Sequence, residues 1–563
     1  MSISGRASGP AVPRRGKTRR RTIATVTGLA AAALLAAACG RSAGSAGGSA
    51  GNVSPTKGLV ATTPAGKTAV TSVTWAVYRD VNSLDPIFAF DYPENTADSL
   101  MCESLLRQAP DGSLQPGLAS VASPSPTSFV FTLRPGAKFW DGHPVTPADV
   151  VYSLQRNTDP KLGGFYGAVF NRVSSIKATG ASQVTITLKQ PDYWLQGELA
   201  SMPGIIIEKS FAQAQGKNYG TPAGKIMCTG AYMFRSWTPG VGVTAVANPH
   251  YWQGSAHPLV QQITIKGAPD VSALTSALLT GGIQGTYAAG LATLDQLKNS
   301  SAVRVYQGPG WSTDAFIVSS LKGALGDLRV RRALSLALDR QGIIDSVYKG
   351  AALMPRWLSN PGTFGYGRSV FTASYSKAPV LNQNLAEAKK LVQQAGAAGK
   401  TLTIGTSSQL ANISAVTGAY QAAAQAIGLK VVLKSVSAQN YINFFIDPKA
   451  RAGIDGFLTI NYGDYADPAG LLSTFDLPGG SQNYDSYSNP AITAALEQAR
   501  STADPNQRAA LMVKAEQLTA QQLPWIPNVQ PTSVLILNSK LTGAVSSFAY
   551  MFAPWANSLG GRG

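Results

Sequence analysis

The chain has 563 residues, 44% of them hydrophobic and 13% charged, with a formal net charge of +18. Such a chain is too long for one simple core, and its composition describes a globular protein able to bury several. The charge does not mark a nucleic-acid binder: Arg6, Arg14, Arg15, Lys17, Arg19, Arg20 and Arg21 precede Cys39 with no acid among them, and removing these seven leaves +11 spread thinly, without a basic run interleaved with aromatics.

Those arginines precede an apolar run, residues 23–38, too short and too alanine-rich for a membrane span and suited to the apolar centre of a signal peptide. Residues 1–38 are therefore expected to be a signal peptide, with general secretion and twin-arginine export both open at Arg20-Arg21. LAAACG at 35–40 resembles a lipobox that would make Cys39 the lipidated first residue, although its Leu stands one position further from the cysteine than usual. Cleavage at a small-residue site without lipid is the alternative. Residues 39–69, rich in Ser, Gly, Ala and Thr, then read as a flexible tether. With Cys39 carrying lipid, Cys102 and Cys228 remain as an even pair in an oxidising compartment, and a disulfide between them is expected.

Folded sequence is expected from about Val70, with a strand at 73–78 and an amphipathic helix at 97–107 whose inward residues are Leu100, Leu105 and Leu106. Phe129, Phe131 and Leu133 alternate with Val130, Thr132 and Arg134, a strand signature. Pro135-Gly136 and Asp141-Gly142 turn the chain, and Thr146-Pro147-Ala148-Asp149 reads as a helix start with Thr at the N-cap, Pro at N1 and Asp at N3. Residues 184–188 alternate, and 234–246 form a strand pair broken at Pro239-Gly240. Val330, Leu334 and Ala337 share one helical face, and Asp339 can cap the next helix through Ile343, Ile344 and Val347. Residues 384–396 combine an N-x-x-E capping box with a closing glycine. Strands at 402–405 and 430–436 flank a helix near 415–426, a β-α-β alternation that argues for an α/β lobe with a mixed sheet. A strand ends at Tyr462 and leaves through the polar turn GDYADP, 463–468. Helices at 490–500 and 505–521 start with Pro at N1, and 524–527 leads to a last strand at 533–538.

The run FVFTLRPGAKFWDGHPVTPADVVYSL, 129–154, closely resembles the hallmark FxLRxGxKFxDGxPxTAxDVxxSL of the family 5 extracellular solute-binding proteins of ABC importers, the oligopeptide, dipeptide and nickel class. Pro147 replaces the family's alanine, an exchange that a helix N1 position accepts. KIMCTGAY at 225–232 is similar to the family's PVGTGPY, with Cys228 where glycine is common, and NPHYWQG at 248–254 to its NPxYWGG. DLRVRRALSLALDR at 327–340 is similar to DxRVRxAxxxAIDR, and 384–396 to AKxLLxEAG. The matched segments run from about 80 to 538.

This resemblance implies an α/β fold of the two-lobed periplasmic-binding-protein type (type II, the large class with an extra subdomain), its mixed sheets joined by hinge strands. Lobe I would comprise 70–112, 225–309 and 530–563, the extra subdomain 113–224, and lobe II 310–529. The implied function is that of an extracytoplasmic, lipid-anchored receptor that captures oligopeptides or dipeptides between its lobes. It would deliver them to ABC permease and ATPase subunits as a monomer, with no cofactor and no nucleic-acid partner. GDYADP is similar to the family's G-D-x-x-D/E-P, whose first acid pairs with the ligand's α-amino group in peptide-binding members; Asp464 matches that acid and Asp467 the structural one before proline. Tyr78, Tyr462, Tyr465 and Trp311 are candidate aromatic walls by their position near lobe boundaries, and Arg356 a candidate for the ligand carboxylate. The alternatives are another solute on the same scaffold, such as a nickel chelate, a sugar or an opine-like compound, or a secreted hydrolase. Against the hydrolase stand only three histidines, His143, His250 and His257, and S-x-x-K matches without the S-D-N and K-T-G that would accompany them. Neither a catalytic motif nor a metal set is expected.

Overall fold

A computed structural model of the protein describes residues 56–563 apart from 254–257, 289 and 409. The expected signal peptide, Cys39 and most of the expected tether lie outside the described residues, as does His257. No helix among the described residues is long and apolar enough to cross a membrane.

Two mixed sheets and one antiparallel sheet account for most strands. The first lobe is built on a seven-stranded sheet in the spatial order Val303–Gly308, Ser533–Asn538, Gly285–Thr286, Val73–Val77, Gln262–Gly267, Gly242–Ala247 and Tyr232–Thr238. Val73–Val77 pairs in parallel with both of its neighbours, so apolar residues fill both faces and the strand reads as a nearly unbroken buried run. The second lobe is built on a six-stranded sheet in the order Ala352–Leu353, Trp525–Pro531, Ser312–Val318, Gly456–Tyr462, Thr401–Thr406 and Lys430–Ser435. Packed cores lie on either side of it, one around Phe316, Leu334 and Tyr420, the other around Phe371, Phe457 and Trp525.

The chain crosses between the lobes twice, at 308–312 and at 531–533, so the last strand of the first lobe's sheet comes from near the C-terminus. These crossings admit no side chain between them: a methyl on Gly310 would lie 2.0 Å from the Pro531 carbonyl, and one on Gly362 the same distance from the Gly310 carbonyl. Asn360 brackets both, donating from Nδ2 to the carbonyls of Ser312 (3.0 Å) and Pro531 (2.9 Å).

The strand predicted at Phe129 is Ser128–Leu133, the second strand of an antiparallel sheet with Ala119–Ser125, Gln183–Leu188 and Val173–Gly180. Its alternation is the expected one, with Phe129, Phe131 and Leu133 buried. Gly136 and Gly142 hold φ of 80° and 93°, so both turns need glycine. The helix Pro147–Arg156 begins as predicted: Thr146 accepts from the Asp149 backbone, and Asp149 Oδ2 accepts from the Thr146 N–H at 2.9 Å. Asp149 Oδ1 also accepts from the Lys209 N–H at 2.9 Å, fixing the start of helix Lys209–Gln215. Asp149→Ala should therefore cost about 1–3 kcal/mol, more than one lost cap alone, measured as a drop in the urea midpoint at unchanged slope.

Two of the other family-like passages converge on one half-buried acid. Glu103 accepts from Thr229 Oγ1, Tyr251 Oη and Trp252 Nε1, each at 2.8 Å, so KIMCTGAY and NPHYW are fastened to the end of helix Tyr92–Met101. Beside it the sulfurs of Cys102 and Cys228 are bonded, with Cα atoms 5.0 Å apart and a sequence separation of 126. This bond closes the base of the passage that leaves for the four-stranded sheet and returns. Replacing both cysteines with alanine should lower unfolding stability by about 2–4 kcal/mol, checked by denaturation with and without reductant.

Several expectations are corrected. The helix expected at 97–107 is Tyr92–Met101, because Asp91 caps it and Pro93 suits its first turn, and 106–108 is a strand instead. The capping box at 384–396 is half formed: Asn384 accepts from the Glu387 N–H, while no return bond to the N-cap is present among the described residues. The end of the expected tether is held in the fold. The Val60 N–H donates to Gln307 (2.8 Å) and the Thr63 N–H to Ala544 (3.0 Å), and Thr68 bridges to Gly561. The passage 524–527, expected only as a lead-in, belongs to the fully buried strand Trp525–Pro531.

Candidate functional site

Gly456–Tyr462, an interior strand of the second lobe's sheet, ends at Tyr462, whose hydroxyl reaches the Phe90 carbonyl of the first lobe, and the turn that follows carries Asp464. Gly463 and Gly470 pack backbone to backbone, where a methyl on Gly463 would come within 3.1 Å of Gly470 Cα, which makes the exit tight. Asp467 closes the turn: its Oδ1 accepts from the Ala469 N–H at 2.9 Å at the start of helix Ala469–Asp476, a structural task.

Asp464 is different. Its carboxylate has no hydrogen bond and no ion pair among the described residues, although burial there is enough to push it up to about 6. Across from it stands helix Leu195–Glu198 of the four-stranded subdomain. A methyl on Gly197 would lie 2.4 Å from the Tyr465 ring, so this helix rests directly on the loop that carries Asp464. Glu198 Oε2 is buried without a partner, and burial followed by the Asp464 charge holds its carboxyl well above the usual range. Tyr166, which donates to the Ala89 carbonyl at 2.6 Å, is pushed well up by burial, then by Asp464, Glu198 and Asp98 in turn. Asp98 is itself fully buried with neither carboxylate oxygen partnered.

The aromatic candidates separate. Tyr462 spans the seam, donating from its hydroxyl to the Phe90 carbonyl at 3.0 Å, with its ring 5.3 Å from that of Tyr92 and 5.1 Å from that of Phe548. Tyr465 is buried against Gly197. Tyr78 stands exposed at the rim, bonded through its hydroxyl to Asp91, while Arg79 bridges Asp91 (2.6 Å) and Glu94 (2.7 Å). Trp311 is 1% exposed and packs with Phe548 and Phe552 beside the crossing at 308–312. Arg356 is occupied by the Ala378 and Ser376 carbonyls and lies over the Tyr375 ring. Sequence reasoning missed Glu198, Tyr166 and Asp98. No motif marks YWLQGELA, and only the packing of the subdomain brings Glu198 to Asp464.

Elsewhere the subdomain clamps the second lobe. Arg500 meets Asp192 with two bonds, 2.9 Å from Nε and 2.5 Å from Nη2, and lies 5.2 Å from the Trp194 ring. Trp194 is buried in the second lobe's core beside Phe371 and Phe457. On the subdomain's outer surface, Asp141, His143 and Glu208 offer three ligand-type atoms within 4.8 Å of one another, with His143 exposed in an Asx turn.

A sequence profile of the bacterial extracellular solute-binding proteins, family 5 (middle region), matches residues 113–483. The periplasmic murein peptide-binding protein MppA of Escherichia coli is 28% identical over 486 residues, covering 82% of this chain and 88% of its own. The periplasmic oligopeptide-binding protein OppA of the same organism is 28% identical over 495 residues, covering 82% and 87%. Among solved structures, the DppA binding protein of Helicobacter pylori in complex with the peptide STSA superposes with a TM-score of 0.73 at 21% identity, covering 88% of this chain and 99% of that one. With the profile spanning well over half of its length, this chain belongs to the family 5 extracellular solute-binding proteins of ABC importers.

Proposed function

We propose that the protein is the extracytoplasmic receptor of a peptide importer, taking peptides into the seam between its lobes with their α-ammonium on Asp464, and that Cys39 carries its lipid anchor. The observation that carries the reading is the Asp464 carboxylate, which has no hydrogen bond and no ion pair among the described residues. A half-buried carboxylate with no protein partner is free to take a cation, and a ligand ammonium supplies the charge that the fold does not. The peptide-binding names of MppA and OppA, and the peptide in the DppA complex, support this class of ligand. Tyr462 and Tyr465 flank the same loop and would line the ligand's first residues. Backbone bonding to an extended ligand would hold the rest of the peptide while tolerating many side chains. Closure around the ligand is the working step: binding favours the joined lobes by the difference in affinity between the joined and parted forms. The permease and ATPase subunits would take the ligand onward, and no bond is made or broken by this chain.

Calorimetry with defined tri- and tetrapeptides tests the reading. Micromolar or tighter binding of free-amine peptides, lost on N-acetylation, supports it. Equal binding of free and acetylated peptides overturns the assignment of Asp464. Metabolic labelling with a fatty acid, compared between the natural chain and Cys39→Ala, tests the anchor.

A further inference from the structure

One α-ammonium neutralises one carboxylate, and the seam holds more acid than that. Asp464 comes from the loop after Gly456–Tyr462 and Glu198 from helix Leu195–Glu198, and the charge of the one acts on the other; both act on Tyr166, as does Asp98 of helix Tyr92–Met101. Glu198 Oε2 and both oxygens of Asp98 are buried without a hydrogen-bond partner. Native folds leave few such atoms, and each calls for a reason. The cation whose charge acts on Glu198 is not available: among the described residues whose charges act on it most strongly, Arg500 is the positive one, and its guanidinium is spent in the two-bond pair with Asp192. The others are Asp464, Asp192 and Asp467, all acidic. Tyr166, already donating to Ala89, has no second proton to offer.

We infer that the ligand is a peptide whose first residue carries a second positive charge, lysine, ornithine or arginine, its α-ammonium meeting Asp464 and its side-chain cation meeting Glu198. The inference rests on the reading of Asp464 given above and specifies its ligand. Two facing carboxylates in a poorly solvated seam cannot both ionise at low cost, so the empty site keeps a proton between them. A single ammonium relieves one acid and leaves that proton in place. A dicationic first residue relieves both, and the proton departs to solvent as the second cation arrives. Burial and the Asp464 charge hold Glu198 above the ordinary carboxylate range, so its loss of a proton on binding is read as proton release.

The test compares Lys-Ala-Ala-Ala with norleucine-Ala-Ala-Ala, equal in length and nearly equal in apolar surface, by calorimetry on the full mature chain at pH 7 in two buffers of different ionisation enthalpy. The expected result is roughly tenfold or greater preference for the lysine peptide, with more protons released than for norleucine. In Glu198→Gln the preference should shrink to within about twofold, and the extra proton release should vanish. Equal affinity of the two peptides in the natural protein, or a preference that survives in Glu198→Gln, overturns the inference. If Glu198→Gln does not fold, the proton count in the natural protein decides alone: equal release for both peptides overturns it. The two readings fail separately. Binding of both peptides that is lost in Asp464→Asn but shows no lysine preference sinks only this inference, whereas no binding of either peptide sinks both.

Discussion

Asp464→Asn is expected to weaken binding of a free-amine peptide by about 2–4 kcal/mol, roughly thirty- to a thousandfold, while the weaker binding of the N-acetylated peptide changes little. The substitution keeps the shape of the side chain and removes only its charge, so the loss reports the ammonium contact and not the packing of the turn, which Asp467 secures independently. The pH dependence follows from the same group. Burial pushes Asp464 up from 3.8 to about 6, and the ionised form is the one that binds an ammonium. Peptide affinity should therefore climb as pH rises through about 6 and level off above it, until the peptide amine itself loses its proton near pH 8. Stability of the empty protein runs the other way. A carboxyl with a raised folded pKa keeps its proton in the folded state where the unfolded chain has released it, so the folded state loses ground as pH rises from about 4 through about 6. Peptide should accordingly raise the melting temperature more at pH 7 than at pH 5, and calorimetric scans across that window check the sign. An affinity that falls as pH rises from 5 to 7 would remove Asp464 from the site.

What the sequence made legible was whatever is encoded locally. The strand at Phe129, the glycine turns, the Thr146–Asp149 start and the proline-led helices Pro490–Ser501 and Pro505–Gln522 are each decided within a few residues, and the structure places them where the letters do. The strand Trp525–Pro531 was hidden because it contains prolines at 527 and 531, which ordinarily exclude a central position. It survives there because its ladder with Ser312–Val318 shifts register between Asp314 and Ala315. The Pro527 carbonyl is instead held by the buried Arg340 guanidinium at 3.0 and 2.9 Å. The segment 60–68 looked like a tether because its bonds go to residues near 307, 544 and 561, separations that no local pattern reveals. The site divides in the same way. Asp464 was readable through the turn that carries it, whereas Glu198 faces it only after a subdomain some 270 residues upstream has docked.

That docking carries the second large expected effect. Arg500→Met should lower peptide affinity by tenfold or more although Arg500 is not one of the residues assigned to the ligand. The reason lies in Asp192, which is 1% exposed and holds Arg500 through two bonds at the contact of the subdomain with helix Pro490–Ser501. The Tyr193 N–H donates to the Arg500 carbonyl at 2.9 Å, and Arg172 pairs with Glu497 on the same helix, so the clamp is a small network and not one surface pair. Removing the guanidinium leaves a buried carboxylate without its cation, a defect that costs about 3–5 kcal/mol when the burial is maintained. The protein has a cheaper response, which is to part the subdomain from the second lobe and let Asp192 meet water. The joined form would then be disfavoured before any ligand arrives, and the apparent peptide affinity would fall in proportion to the fraction still joined. Small-angle scattering of the empty variant should show a larger radius of gyration than the natural protein, with saturating peptide restoring it. Adding Asp192→Asn to Arg500→Met should recover part of the lost affinity, because the group that drives the parting is gone. An unchanged radius with unchanged affinity would mean that the clamp holds the subdomain alone and takes no part in capture.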